Sequence, residues 1–145
     1  MNKRSAFFMA VLACRVVAFA DEAAGAHEVE GSFLVGREGV LFAYAVDEGG
    51  FASPQTGFRE LRLHVGPVEL AAGRVRFSFI LPPGRYGIRC FLDLDGNGRL
   101  DRGPLGPAEP WGMSWNGSRR FGFPKFGDIA FMLDKDIRGL RIEVR

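Results

Sequence analysis

The chain reads as an all-β protein: an antiparallel β-sandwich of about seven short strands, with a long Gly/Pro-rich loop following an acidic loop of the EF-hand kind. Three observations carry this reading. Apolar and polar residues alternate in short runs, and beyond the first 20 residues no helical apolar pattern exceeds about two turns. Twenty Gly and eight Pro in 145 residues demand many turns and hence many short elements. Between Cys90 and Phe131 the alternation stops, and acids, Gly, Pro and aromatics crowd together.

The N-terminus comes first. Met1-Asn2-Lys3-Arg4 is a short basic region, Ala6 to Ala13 is apolar, and Ala18-Phe19-Ala20 before Asp21 has the small-x-small form of a cleavage site. Residues 1–20 therefore read as a signal peptide, and the protein is expected to be exported, to the periplasm or beyond. Val11-Leu12-Ala13-Cys14 offers a second cleavage reading, a lipobox in which Cys14 becomes a lipidated N-terminus. A transmembrane span is not expected, because the uncharged run falls short of about 20 residues.

Charge follows from this. Lys3, Arg4 and Arg15 are three of the 19 basic residues, so removing residues 1–20 leaves 16 bases against 17 acids. No basic block survives, which excludes the electrostatic footprint of a nucleic-acid binder. Either cleavage leaves Cys90 without a partner for an intrachain disulfide. Cys90 shares a face with Tyr86, Ile88 and Leu92, as a small core residue does. A catalytic thiol would need a nearby histidine and some exposure.

Residues 21–27 form a small, polar leader, and the sandwich domain spans 28–145. Val29 to Val35 and Val40 to Val46 alternate as strands around a turn at Gly36–Gly39. Residues 47–59 form a loop broken by Gly49-Gly50 and Pro54. Leu61, Leu63 and Val65 alternate with Arg62 and His64, which places His64 on a solvated face. Val75, Phe77 and Phe79 alternate with Arg74, Arg76 and Ser78. Leu81-Pro82-Pro83-Gly84 connects two strands, since paired prolines cannot donate to a ladder. Arg85 to Leu92 is the next strand. Ile129 to Leu133 and the alternating Leu140, Ile142 and Val144 close the chain. Strands with one apolar face each bury those faces by packing two sheets together.

The acidic loop is the one motif with a definite chemical meaning. Asp93, Asp95, Asn97 and Asp101 occupy positions 1, 3, 5 and 9 of a calcium loop, with Gly98 at the sharp-turn position 6. Arg99, at position 7, would offer its backbone carbonyl. Hard oxygen donors at odd spacing are what Ca²⁺ takes. Position 12 is Pro104 rather than the bidentate Glu, and Glu109 can fold back to replace it. Affinity would then sit at roughly 10⁻⁴–10⁻³ M. The competing reading is a metal-free polar turn, in which Asn97-Gly98 bends the chain and Arg99 and Arg102 neutralise the acids. Trp111 and Trp115, in the segment that follows, offer either a binding platform for a sugar or peptide or a plug for the end of the sandwich.

The residues from Leu81 onward resemble the DUF2141 family of exported, uncharacterised β-sandwich proteins. The resemblance rests on Leu81-Pro-Pro-Gly84-Arg-Tyr86, the Asp93–Asp101 loop, Gly106-Pro107-Ala108-Glu109-Pro110-Trp111-Gly112-Met113-Ser114-Trp115-Asn116, and Gly122 to Phe131. It is strong over residues 79–131 and loose before them. The chain departs from the family pattern at Leu92, where His is common, and at Asp95, where Asn is common. Trp115 splits the Ser-Asn pair, and Ile129 intervenes before Ala130. The resemblance implies export and an immunoglobulin- or prealbumin-like sandwich, and the Pro-Pro-Gly-x-Tyr turn is also similar to that of prealbumin-like domains. It implies no activity.

The expected function is a non-enzymatic exported module. In this reading a calcium-stabilised loop presents residues 103–126 to a cell-envelope protein or glycan. Two alternatives stand: a purely structural envelope subunit, and a hydrolase using Asp93, Asp101 or Glu109 as acid and base, since glycoside hydrolysis needs two carboxylates at a set separation.

Overall fold

The computed structural model describes residues 25–53, 57–117 and 124–145. The expected signal peptide and the Cys14 lipobox lie outside the described residues, as do Gly122 and Phe123 of the family pattern.

Two sheets form the body. The first has the order β10-β1-β4, built from β1 (His27–Leu34), β4 (Arg74–Leu81) and β10 (Ile137–Glu143). The second has the order β3-β2-β5-β8, built from β2 (Gly39–Val46), β3 (Arg59–Val65), β5 (Gly84–Asp93) and β8 (Trp111–Met113), with β9 (Phe131–Leu133) also on β5. A two-residue hairpin, β6 (Arg102–Gly103) with β7 (Gly106–Pro107), follows the acidic loop. The helices are single turns or little more: α1 (Glu48–Phe51), α2 (Pro67–Ala72) and α3 (Phe126–Ile129). The expected all-β sandwich is present, and its pairings are antiparallel except one. β1 and β10 run parallel, with Phe33 opposite Ile142.

The turn at 36–39 carries the chain between layers, since β1 and β2 belong to different sheets. Two local expectations need correction. The loop at 47–59 contains α1, started by the Asp47 carboxylate accepting the Gly50 N–H at 2.7 Å. The Gly/Pro-rich segment after residue 103 contains a real strand, β8, whose Trp111, Gly112 and Met113 pair with Phe91, Cys90 and Arg89. Register against β5 decides this, rather than local propensity.

The main core lies between the sheets. Phe33, Leu41, Leu81, Ile88, Leu92, Leu133 and Ile142 are all buried there, each worth about 1.5–3 kcal/mol over an exposed position. Phe33 and Phe77 pack with ring centroids 4.4 Å apart. One apolar face per strand does not describe β2 and β5. Leu41, Ala43 and Ala45 face the main core, while Phe42, Tyr44 and Val46 join Phe91, Phe126, Ile129 and Ala130 in a second cluster on the outer side of the sheet. Phe42 and Phe91 stack there at 5.1 Å.

The two sheets join along one side. Trp111 N–H donates to the Arg145 carbonyl at 2.8 Å, and Arg145 N–H returns a bond to the Trp111 carbonyl at 2.9 Å. Gly112 permits this approach, since a Cβ there would run into the Glu143 carbonyl oxygen. Among the described residues no helix is long and apolar enough to cross a membrane.

Candidate functional site

The acidic loop leaves the end of β5 and returns to the side of the same strand. Asp93 is the last residue of β5 and is almost fully buried. Its two carboxylate oxygens accept the N–H groups of Gly96 at 2.8 Å and Gly98 at 2.9 Å. These bonds fold the loop tightly around the carboxylate. Gly98 adopts φ 74°, a left-handed conformation that favours glycine.

Glu109 closes the loop from outside it. This buried side chain accepts the Leu94 N–H at Oε1 (2.8 Å) and the Asp101 N–H at Oε2 (3.3 Å). The entry and the exit of the loop are thus held by one carboxylate. Leu92 N–H donates to the Pro110 carbonyl at 2.8 Å, which docks the Glu109 segment against β5.

Asp93, Asp95 and Glu109 each offer one carboxylate oxygen, and these oxygens lie within 4.8 Å of one another. Oxygens on opposite sides of a Ca²⁺ ion at 2.3–2.6 Å stand roughly 5 Å apart, so one cation can touch all three. The donors are all hard oxygens, which fits calcium or magnesium and not a soft metal. The three acids that meet are thus Asp93 and Asp95 of the loop and Glu109 from beyond it.

The other loop residues are arranged differently. Asn97 bridges two carboxylates, its Nδ2 donating to Asp95 Oδ2 at 3.1 Å and to Asp101 Oδ2 at 2.7 Å, while its Oδ1 accepts the Arg99 N–H at 2.9 Å. Asp101 lies outside the three-acid cluster. The Arg99 side chain extends into solvent and comes no closer than 3.9 Å to Asp101. Arg102 makes no ion pair among the described residues, so of the two arginines only Arg99 stands beside a loop acid.

Trp111 and Trp115 are both half-buried and pack against the second cluster. Trp111 lies on β8. After Trp115, Asn116 ties the chain down by donating Nδ2 to the carbonyls of Gly127 (2.7 Å) and Ala130 (3.0 Å). Between the tryptophans Ser114 is buried, donating its hydroxyl to the Ile129 carbonyl and accepting the Ile88 N–H, both at 2.8 Å. The sequence places Ser114 in the family's Ser-Asn pair but gives no signal of its burial or of its two bonds.

Cys90 and His64 are placed as structural residues. Burial pushes the Cys90 thiol far above its ordinary range, and the group donates to the Gly112 carbonyl at 3.6 Å. It is a packed thiol with no thiolate to offer. His64 is exposed on β3, as its place on the polar face required.

Sequence reasoning also missed a hollow on the outer face of the second sheet. It measures about 120 Å³ and is lined by Tyr44, Arg89, Leu100, Arg102, Trp111 and Met113, with Cys90 and Phe91 behind. Tyr44, Arg89 and Met113 stand side by side in register across β2, β5 and β8. Arg89 is half-buried and gives its guanidinium to the carbonyls of Phe51 and Ser53. Burial holds its pKa below the usual arginine value, and burial raises that of Tyr44.

Fold and site together define a β-sandwich protein with a carboxylate-closed acidic loop able to hold a hard cation. The chain belongs to the DUF2141 family, described as uncharacterized protein conserved in bacteria, which matches residues 40–139. No curated protein and no solved structure matches it.

Proposed function

We propose that this protein is an exported, non-enzymatic sandwich module whose Asp93–Asp101 loop binds calcium and, so ordered, presents residues 103–126 to a protein or glycan of the cell envelope. The observation that carries the reading is the closure of the loop by Glu109. A carboxylate from outside the motif supplies the acid that position 12 lacks, beside Asp93 and Asp95. Calcium rather than magnesium follows from the spacing of the acids along the loop and from the tolerance of calcium for irregular oxygen shells. Asn97, the Arg99 carbonyl and Asp101 complete the expected ligand set. The non-enzymatic reading is supported by Asp93 and Glu109, each of which accepts two backbone N–H groups. Carboxylates committed in this way make poor acid–base pairs. Export rests on the basic and apolar N-terminal run.

A second reading, a purely structural envelope subunit, is favoured by one observation: Trp111 and Trp115 are packed on the second cluster rather than standing free of the surface.

The deciding experiment is a thermal melt of the protein in EDTA and in millimolar Ca²⁺, with Asp93→Ala beside it. A rise in melting temperature with Ca²⁺ that the variant lacks establishes the metal site, because a ligand bound only to the folded state stabilises it by mass action. An identical melt in both buffers removes calcium from the reading.

A further inference from the structure

We propose that the hollow between the acidic-loop exit and the outer face of β2, β5 and β8 binds a small organic carboxylate with a compact apolar body. Its volume of about 120 Å³ approaches the ~150 Å³ of a cavity that takes benzene. The walls are of two kinds. Trp111, Tyr44, Leu100 and Met113 supply apolar and aromatic surface, and Arg89 and Arg102 supply two guanidinium groups. Among the described residues no Asp or Glu lines it, the nearest acid being Glu60, opposite Tyr44 on β3 and paired there with Arg62.

The two arginines differ in setting, and that difference makes a site. Arg89 is fixed, because the Phe51 and Ser53 carbonyls hold its guanidinium and the ring of Tyr44 lies 5.9 Å from it. Arg102 is exposed on β6 and makes no ion pair among the described residues. A held cation at the wall and an exposed one at the rim are suited to orient a carboxylate whose apolar body sits against Trp111 and Met113. Guanidinium–carboxylate bonds are charge-assisted and directional, so the hollow should discriminate an acid from its neutral amide. This inference does not depend on calcium, since β2, β5 and β8 supply most of the wall.

The test uses benzoate as probe and benzamide as its neutral twin, titrated into the ¹⁵N-labelled protein. The readout is the two indole N–H resonances. The Trp111 resonance is expected to move with benzoate and not with benzamide, while that of Trp115 stays in place. Arg102→Gln, an exposed substitution that leaves the fold intact, should weaken benzoate by about 10-fold, the size of one charge-assisted hydrogen bond. Equal binding of acid and amide would reduce the hollow to an apolar dimple and overturn the proposal. So would binding that Arg102→Gln leaves unchanged, displacement of benzoate by phosphate at equal concentration, or no movement of Trp111 at all.

Discussion

The Glu109 carboxylate accepts the backbone N–H of Leu94 at 2.8 Å, across 15 residues of chain. Its other oxygen holds Asp101 N–H. Glu109→Ala takes the charged acceptor from two part-buried donors, at about 1 kcal/mol each, and should lower the melting temperature in EDTA as well as in Ca²⁺. Glu109→Gln keeps one acceptor oxygen and the shape but removes the charge. In EDTA it should melt between the alanine variant and the wild type, since one of the two acceptors becomes an N–H donor, and it should lose most of the rise with Ca²⁺. A Gln variant with the full rise would show that Glu109 is a clasp and not a ligand.

Asn97 is the donor between Asp95 and Asp101, and Asn97→Asp replaces that donor with a fourth carboxylate. Without metal the acids then repel, and the variant should be less stable than the wild type in EDTA at low salt, recovering as salt screens the charges. With Ca²⁺ the order reverses, because affinity rises with ligand charge. Isothermal titration and paired melts read both signs. A loss of stability in Ca²⁺ as large as that in EDTA would argue against a cation at this position.

Ser114 binds two strangers at once, the Ile88 N–H and the Ile129 carbonyl. Ser114→Ala leaves both unsatisfied in a buried place, and about 2–4 kcal/mol should be lost in urea unfolding, given the cost of each orphaned group. A change under about 0.5 kcal/mol, the ordinary size for a surface position, would mean that water replaces the hydroxyl.

Cys90 gives a pH dependence. The folded thiol is held protonated by burial, above its unfolded value. The stability it contributes is whole below the unfolded pKa of about 8.5 and is lost as pH rises from there toward the folded value, at about 1.4 kcal/mol per pH unit for one proton. Urea midpoints measured from pH 7 to 10 should fall more steeply for the wild type than for Cys90→Ala. Parallel curves would place the thiol in water.

Much of this was legible in the sequence and some was not, for physical reasons. The loop could be read because calcium chemistry fixes residue types at fixed spacings, and Glu109 could be nominated because the missing acid had few replacements nearby. The sandwich could be read from period-two alternation. The parallel partnership of β1 with β10 could not, since no local pattern names a partner more than 100 residues away. Alternation puts Phe42 and Tyr44 on one face of β2 and small Ala43 and Ala45 on the other, but it does not say that the small face is the one turned to the main core. The hollow was invisible because Tyr44, Arg89 and Met113 become neighbours only through the register of three strands. β8 was hidden by composition, since Trp111-Gly112-Met113 lies among turn residues and is a strand only because β5 offers an edge.

β5 itself carries one more consequence. β2 pairs with it over Gly87–Asp93, and on its other edge β9 covers Gly84–Tyr86 and β8 covers Arg89–Phe91. Ser114 bonds Ile88 in the gap, and Pro110 bonds Leu92 at the end. Such a strand should open only when the whole molecule does, so its amides belong to the slowest-exchanging unit. Asp93 is the end of that strand and the start of the loop. A cation gripped there would act on the last part of the fold to come apart, and hydrogen exchange deep in the sandwich would register an event at its rim.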